Sequence, residues 1–529
     1  MTDIARPSTG TGLSRRTALG ILSIPALALA GCSGSDGSAA SPPTRTGTGS
    51  GPVTNPTPTG ARSGPTAADW QALARSIDGT LLRPGQAGFG TAHRLYDPRY
   101  DSRAPVAVVT AARAHDVAET VRFVRRFGLP VATRSGGHSY VGASARTGAV
   151  VIRTTGLAGV RYDASTGQVG VGAGAQLFDV HSALDPRGRT VPTGTCPTVG
   201  AAGLTLGGGI GVEDRAYGLT CDTVASMTVV TADGRVRTID DTRDPDLFWG
   251  MRGGGGGNFA VLCSIQMATS PAHSVGFYFL SWPISQAAAV LRGWQRQLVT
   301  MPRSSWSNVH LDISGGTWTV KILGVSLTGD AHAAAAAVES SVGQPPTSAS
   351  FTVHTHHDAV RLLAGCLGDT DEQCHLPPVG TQPRQSFVAG SDVLGTPMGP
   401  RVIGSLLSVV RTRASSGGSA SVILDPLGGR IASPGTGAGA FPWRSAEATI
   451  QWYIGLPVGA PPAQVSSGLA WIRSGHAAVA ATSVGAYVNY LEPGRPMRSY
   501  YGSSFARLRA VRSRYDPTGV FAGPYTIPA

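Results

Sequence analysis

Two reactive side chains set in glycine constrain this chain more than any other feature. The first stands in Arg134-Ser135-Gly136-Gly137-His138-Ser139. The second stands in Gly194-Thr195-Cys196-Pro197-Thr198-Val199-Gly200, which runs on to Leu206-Gly207-Gly208-Gly209-Ile210-Gly211. Glycine reaches positive φ and lets backbone amides approach a ligand closely. Successive amides in such turns form concave nests for anions such as a pyrophosphate. A His and a Cys, each at the edge of a nest, point to a large phosphate-bearing cofactor held from two sides. The plain alternatives are a surface histidine and a buried thiol. The Arg-Ser-Gly-Gly before His138 argues against the first, and Pro197 with the glycines after Cys196 argues against the second. A Cys/His hydrolase pair needs an orienting third group and an oxyanion hole, and the sequence carries no signature of either.

A chain of 529 residues is too long for one ordinary core, so two or more domains are expected. Residues 1–31 read as a targeting segment. Ser14-Arg15-Arg16-Thr17 is a twin-arginine pair, an apolar run from Ala18 to Ala30 follows, and Leu27-Ala28-Leu29-Ala30-Gly31-Cys32 resembles a bacterial lipobox. The run is too short to span a bilayer, and its flanks are those of a signal peptide. Cys32 would carry the lipid and provide the only membrane contact of an envelope lipoprotein; cleavage near Gly31 with secretion is the alternative. Residues 32–65, rich in Gly, Ser, Pro and Thr, read as a flexible tether.

The formal charge is +12, or +10 without the first 31 residues, which hold three Arg and one Asp. A basic surface suits nucleic acid or an anionic envelope. With Lys321 the only lysine, no basic cluster and no zinc-finger spacing, nucleic acid is not expected. No C-x-x-C pair exists, and no metal site is expected. Cys366 and Cys374, in a Gly- and Pro-bearing segment, suit a local disulfide in an oxidising compartment, with two free thiols as the alternative. Cys221 and Cys263 sit in apolar, strand-like contexts and read as buried small hydrophobes.

Periodicity places the loops. Ala104–Thr110 reads as a strand, Asp116–Phe127 as a helix stopped by Gly128, and Val131–Thr133 as a strand leading into the His138 loop, together a βαβ unit. Gly170-x-Gly172-x-x-Ala175 formally fits a dinucleotide fingerprint, but Thr193-Gly194-Thr195 stands where an acidic residue is needed, so a strand end and tight turn are expected. Met227–Thr231 and Arg235–Ile239 flank a hairpin turn at Ala232-Asp233-Gly234. The expected division is a cofactor-binding domain over 66–270, an α/β substrate domain with an antiparallel sheet over 271–475, and a closing segment over 476–529 that packs back onto the first.

These stretches, with Tyr217-Gly218-Leu219-Thr220-Cys221-Asp222, Asp246–Asn258, Tyr487-Val488-Asn489-Tyr490 and Tyr515-Asp516-Pro517 with Val520-Phe521, resemble the berberine bridge enzyme-like branch of the vanillyl-alcohol oxidase/p-cresol methylhydroxylase flavoproteins. The likeness covers about 90–270 and 420–529; the middle matches only in texture. It implies an α+β protein: a two-subdomain FAD fold of the p-cresol methylhydroxylase type, roofed by the antiparallel sheet of the substrate domain. It also implies FAD bonded twice, through His138 to the 8α-methyl carbon and through Cys196 to C6. Arg134, Ser135, Gly136, Gly137 and Ser139 would hold the pyrophosphate. Val199, Gly200, Gly203, Gly208, Gly209, Val261, Tyr487 and Asn489 would line the cofactor, with Val199 the oxidase-type residue at the oxygen-gating position.

The resemblance also assigns the catalytic wager. Tyr490 matches the tyrosine base, Asp425 a carboxylate that assists it, and Gln451 a pocket glutamine. A lone Asp raises a neighbouring Tyr pKa, so that pair works only if Asp425 accepts the tyrosine's hydrogen bond. Tyr487 and Tyr490 alternate with Val488 as on a strand, so one of them is expected in the core. The implied activity is hydride transfer from an alcohol or sugar-type C–H to the flavin, with a small-molecule substrate and oxygen as partners. The alternatives are a dehydrogenase serving a quinone or other envelope acceptor, and a non-catalytic binding protein of the same fold. Oligomeric state is not specified by the sequence.

Overall fold

The structure, a computed structural model, describes residues 64–435 and 438–528. The twin-arginine stretch, Cys32 and all but the last two residues of the expected tether lie outside them. Thr66 opens the first helix, Ala67–Ser76, with a capping box to Asp69, and the helix buries Trp70 and Leu73. Helix Ala114–Phe127 buries Val117, Val121 and Val124 on one face and ends at Gly128, whose φ of 66° only glycine adopts without strain.

That helix belongs to a βαβ crossover with one difference from expectation. Strands Ala107–Thr110 and Val131–Arg134 are both parallel to Val150–Arg153, which lies between them. The His138 loop therefore leaves the carboxyl end of a parallel strand, where ligands of open α/β sheets collect. A second, five-stranded sheet runs Val160–Asp163, Gln168–Gly172, Ala260–Ala268, Val224–Thr231, Val236–Ile239, with every pairing antiparallel. Gly172 belongs to this sheet, and a Cβ there would fall 1.9 Å from the Leu157 carbonyl oxygen. Its glycine is required by this close backbone packing.

The third sheet has eight antiparallel strands in the order Ser348–His354, Val275–Trp282, Thr317–Ser326, Ser305–Ser314, Ala420–Pro426, Ala448–Leu456, Ser386–Leu394, Ser483–Gly485. Helices Ala287–Thr300, Ala331–Val342, Pro400–Ser415 and Pro462–Val479 cover one face and build the largest core with it. Side chains alternate between faces along each strand. Val422, Leu424, Ile450 and Trp452 enter that core; Asp425 and Gln451 point the other way. The expected boundary at residue 475 falls inside helix Pro462–Val479, and the sheet's last strand lies beyond it.

Helix Phe505–Tyr515 returns to the earlier part of the chain, where Leu508 and Val511 join Leu247, Phe248 and Phe259 in a second core. The Tyr515-Asp516-Pro517 motif is an anchor: the buried Asp516 accepts from the amides of Val520 at 2.7 Å and Phe521 at 2.9 Å. Cys366 and Cys374 form a disulfide, and Cys221 and Cys263 are free and buried. Among the described residues, no helix is long and apolar enough to cross a membrane.

Candidate active site

The two glycine loops meet backbone to backbone. A Cβ on Gly136 would fall 2.3 Å from the Gly200 amide nitrogen, and one on Gly200 would fall 2.3 Å from that of Gly136. Gly137 has φ 77°. Among the described residues, the N–H groups of Gly136, Gly137, His138 and Ser139 have no protein acceptor. A run of unpaired amides in a partly buried turn is costly unless an anion takes them, so the loop fits a pyrophosphate. Arg134, held by the Arg94 carbonyl at 2.8 Å, stands beneath it. Ser135 ties the loop down by donating to the Ala173 carbonyl at 2.6 Å.

His138 and Cys196 converge on one residue that the sequence reading did not single out. Thr198 Oγ1 lies 2.9 Å from His138 Nε2 and 3.9 Å from Cys196 Sγ. Nδ1 has no partner among the described residues. Burial pushes the His138 pKa down to about 3, so the imidazole is neutral, and burial pushes the Cys196 thiol up. Tyr96 stacks on the imidazole with ring centroids 3.9 Å apart.

The remaining cofactor candidates divide. Val199 is partly buried beside the second core, and its carbonyl accepts from Leu177 at 2.9 Å. Gly203 is exposed with open space where a Cβ would stand. Val261 sends its side chain into the core with Ile152 and Val230. Its backbone pairs with Val230, while pairing with strand Gln168–Gly172 begins only at Ser264, leaving one backbone edge for a ligand.

Gly208 and Gly209 differ from expectation. The Gly208 amide donates to the Thr205 carbonyl at 3.1 Å. Those of Gly209 and Ile210 donate to the Tyr487 hydroxyl at 3.0 and 3.3 Å. This nest is filled by a side chain of the protein itself. Asn489 closes it, donating to Tyr487 Oη at 2.8 Å and to the Leu204 carbonyl at 3.0 Å. Tyr487 and Asn489 thus brace the closing segment on the glycine loop. Gly207→Ala should break this brace, because its Cβ would fall 2.0 Å from Asn489 Oδ1. A loss of about 1–3 kcal/mol in denaturant unfolding is expected, from overpacking and the freed polar groups.

The expected strand through Tyr487 and Tyr490 is instead a 3₁₀ turn, Val488–Tyr490. The turn buries Tyr487 and swings Tyr490 toward Tyr140, whose ring it stacks on with centroids 5.0 Å apart and planes 7° apart. Gln451 Nε2 donates to the Tyr140 hydroxyl at 2.7 Å. Tyr140 was missed by sequence reasoning; its one signal is its place two residues beyond His138. Phe387, which packs edge-on against Tyr140 and stacks with Tyr453, extends the aromatic wall.

Asp425 does not make the hydrogen bond expected of it. Its Oδ1 accepts from Asn308 Nδ2 at 3.0 Å, and among the described residues it has no hydrogen bond to Tyr490. Burial raises the Asp425 pKa, against the Asn308 bond. Burial also raises Tyr490 well above the ordinary phenol value, and the nearby Asp425 carboxylate adds to this.

The comparisons with known proteins agree with this geometry. Residues 105–240 match a family model described as an FAD binding domain, and residues 486–528 match one described as berberine and berberine like. An uncharacterised FAD-linked oxidoreductase of Bacillus subtilis, YgaK, is 27% identical over 80% of this chain and 92% of its own. A xylooligosaccharide oxidase of Thermothelomyces thermophilus is 27% identical over 80% of this chain and 87% of its own. The solved structure of wild-type Physcomitrella patens BBE-like 1 superposes with a TM-score of 0.77, at 24% identity, over 87% of this chain and 98% of its own. The unpaired amide nest and the two converging loops fit FAD, and the chain is an FAD-linked oxidoreductase that carries an FAD binding domain and a closing segment similar to that of the berberine-like proteins.

Proposed function

We propose that the protein oxidises a hydroxyl-bearing carbon, of an alcohol or at the anomeric position of a sugar, and that Tyr490 accepts the hydroxyl proton. The observation that carries this is the row on the open face of the large sheet in which Gln451 bonds the Tyr140 hydroxyl and the Tyr140 ring stacks on Tyr490. When bound, FAD supplies the hydride acceptor at N5 and passes the electrons on to oxygen. The chain's own part is orientation and proton handling. Gln451 fixes the Tyr140 hydroxyl by donating to its oxygen, which leaves the Tyr140 proton free to support the tyrosinate form of Tyr490 that takes up the substrate proton and becomes a phenol. The walls formed by Tyr96, Tyr140, Phe387 and Tyr453 suit the flat apolar faces of a sugar or phenol, and a listless apolar chain gains less from them. The likeness to a xylooligosaccharide oxidase supports a sugar-type substrate.

The cofactor is held covalently by His138 and Cys196 in this reading, supported by the free Nδ1 and the shared Thr198. Val199 favours oxygen as the electron acceptor. Asp425 stays near Tyr490 as a charge, held by Asn308, not as its hydrogen-bond acceptor. An aerobic screen for peroxide over sugars, alcohols and phenols, run beside dye reduction under argon, tests the reading. Sugar-dependent peroxide is expected; reduction of dye with no peroxide from any substrate would point to a dehydrogenase.

Export is part of the proposal. The twin-arginine segment and the disulfide between Cys366 and Cys374 both suit an oxidising exterior. Cys32→Ala should move the protein from the membrane fraction to the soluble one; a wild-type protein already soluble would remove the lipid anchor.

A further inference from the structure

We infer that His476, clamped between Asp392 and Glu492 behind the large sheet, is a positioning residue that holds Tyr490 at its post. The inference rests on the reading of Tyr490 as proton acceptor.

His476 lies on helix Pro462–Val479. Its Nδ1 is 2.6 Å from Asp392 Oδ2 and its Nε2 is 2.7 Å from Glu492 Oε2. A carboxylate can only accept, so both ring nitrogens must donate and the ring is an imidazolium. Arg495 supplies the second cation, donating to Glu492 Oε1 at 2.9 Å and to Asp392 Oδ1 at 3.2 Å. Two buried carboxylates are thus matched by two cations. With a neutral ring, one carboxylate would lose its donor and the cluster would carry an uncompensated buried charge, which is strongly unfavourable.

The cluster does not face the site. Asp392 pairs across the sheet with Ile450, on the helix-covered side, and accepts from the buried Trp452 indole at 2.8 Å. Its effect reaches the site through the backbone. Glu492 Oε1 accepts from the Ser391 amide at 3.1 Å, and Ser391 Oγ accepts from the Tyr487 amide at 3.0 Å. The Glu492 carboxylate also rests on Gly390, where a Cβ would fall 2.3 Å from its Cδ. The Arg495 guanidinium donates to the Ser391 carbonyl as well. The 3₁₀ turn that carries Tyr490 is therefore tied at both ends, Tyr487 and Glu492, to three consecutive residues of one strand. Among the described residues, the ionised groups that tie this turn are Asp392, Glu492, Arg495 and His476, and His476 is the one whose charge changes near pH 9.

The geometry gives a pH dependence with a definite sign. The groups facing His476 are Asp392, Glu492 and Arg495. The carboxylates raise its pKa, against burial, to about 9. Arg495, whose Nη1 lies 3.4 Å from both ring nitrogens, opposes protonation. Burial pushes Asp392 up, yet its bonds to His476 and Arg495 bring it below the usual carboxylate value. A raised histidine pKa means the clamp is complete below about 6.5, the unperturbed value, and is lost as pH rises through about 9.

The test uses the flavin-loaded protein and His476→Gln. Amide hydrogen exchange over residues 487–492, corrected for intrinsic rates, should speed up by about 10-fold or more as this local unit loosens. Anaerobic reduction of the flavin by substrate should slow by roughly 100-fold, the effect of a misplacement near 1 Å, with substrate Kd changed by less than about 3-fold. The climb of the wild-type reduction rate with pH should level off near pH 9, and that break should be absent from the variant. In a Tyr490→Phe background the same substitution should add less than about 3-fold, because the two act through one group. Unchanged exchange over 487–492, or an undiminished slowing in the Tyr490→Phe background, would overturn the inference. If Tyr490→Phe alone reduces flavin at the wild-type rate, the base assignment fails; exchange in His476→Gln then decides whether the clamp holds the turn. Should His476→Gln not fold, Ser391→Ala removes only the hydroxyl under Tyr487. It should loosen the same amides, and wild-type exchange in that variant would equally overturn the inference.

Discussion

Tyr490→Phe should slow substrate-driven reduction of the bound flavin by on the order of 10²–10⁴-fold, the usual contribution of a positioned acid–base group, while leaving substrate binding nearly unchanged. The substitution removes one oxygen and keeps the ring that stacks on Tyr140 at 5.0 Å, so packing in the row is preserved. What is lost is the acceptor at its end. Because burial and then Asp425 hold the Tyr490 pKa well above the ordinary phenol value, the resting group is a neutral phenol. The reduction rate of the wild type should therefore climb with pH over the acidic and neutral range. Asp425→Asn discriminates between two roles for that carboxylate. If Asp425 acts as a charge, its removal lowers the Tyr490 pKa and moves the climb to lower pH. If Asp425 received the tyrosine proton, the same change would slow reduction and move the climb upward. The bond from Asn308 at 3.0 Å, with none to Tyr490 among the described residues, predicts the first result. Stopped-flow reduction under argon across pH measures both; a Tyr490→Phe protein that reduces at the wild-type rate would remove Tyr490 as base.

Local chemistry was legible in the sequence, and long-range partnership was not. Glycine around His138 and Cys196 announced a cradle because amide nests are made by neighbours in the chain. The helix ending at Gly128 and the hairpin at Asp233-Gly234 were readable for the same reason. The strand Val150–Arg153 was readable as a short β piece, but its place between the two strands of the βαβ unit was not, since topology depends on contacts distant in sequence. The alternation Tyr487-Val488-Asn489-Tyr490 fits a strand as well as a turn, and the tertiary ties of Tyr487 decided for the turn. Gly208 and Gly209 read as cofactor ligands because glycine signals close approach without saying by what; the visitor is the Tyr487 hydroxyl, 278 residues away from Gly209. Asn308, 117 residues from Asp425, and Thr198, between the two reactive residues, carry polar side chains of a kind found everywhere. Only the folded sheet and loops show what they hold.

Flavin should remain with the acid-precipitated wild-type protein and with each single variant, His138→Ala and Cys196→Ala, and should be released only from the double variant. Two independent bonds make this pattern, and one bond or none does not. The site favours the bond to His138 because burial keeps its imidazole neutral, with Nε2 occupied by Thr198 and Nδ1 left without a protein partner. It favours the bond to Cys196 because the same Thr198 hydroxyl fixes the thiol beside the loop, and among the described residues Cys196 is in no disulfide. Thr198→Val should therefore slow attachment at both positions at once while leaving the amide nest intact, so that flavin still binds but is partly released on precipitation. Fluorescence of the denatured protein band, set against fluorescence of the supernatant, reads every arm. Complete release from the wild type would exclude both tethers, and complete release from one single variant would assign a single tether to the residue replaced. Retention in the double variant would require a third attachment point that neither glycine loop provides.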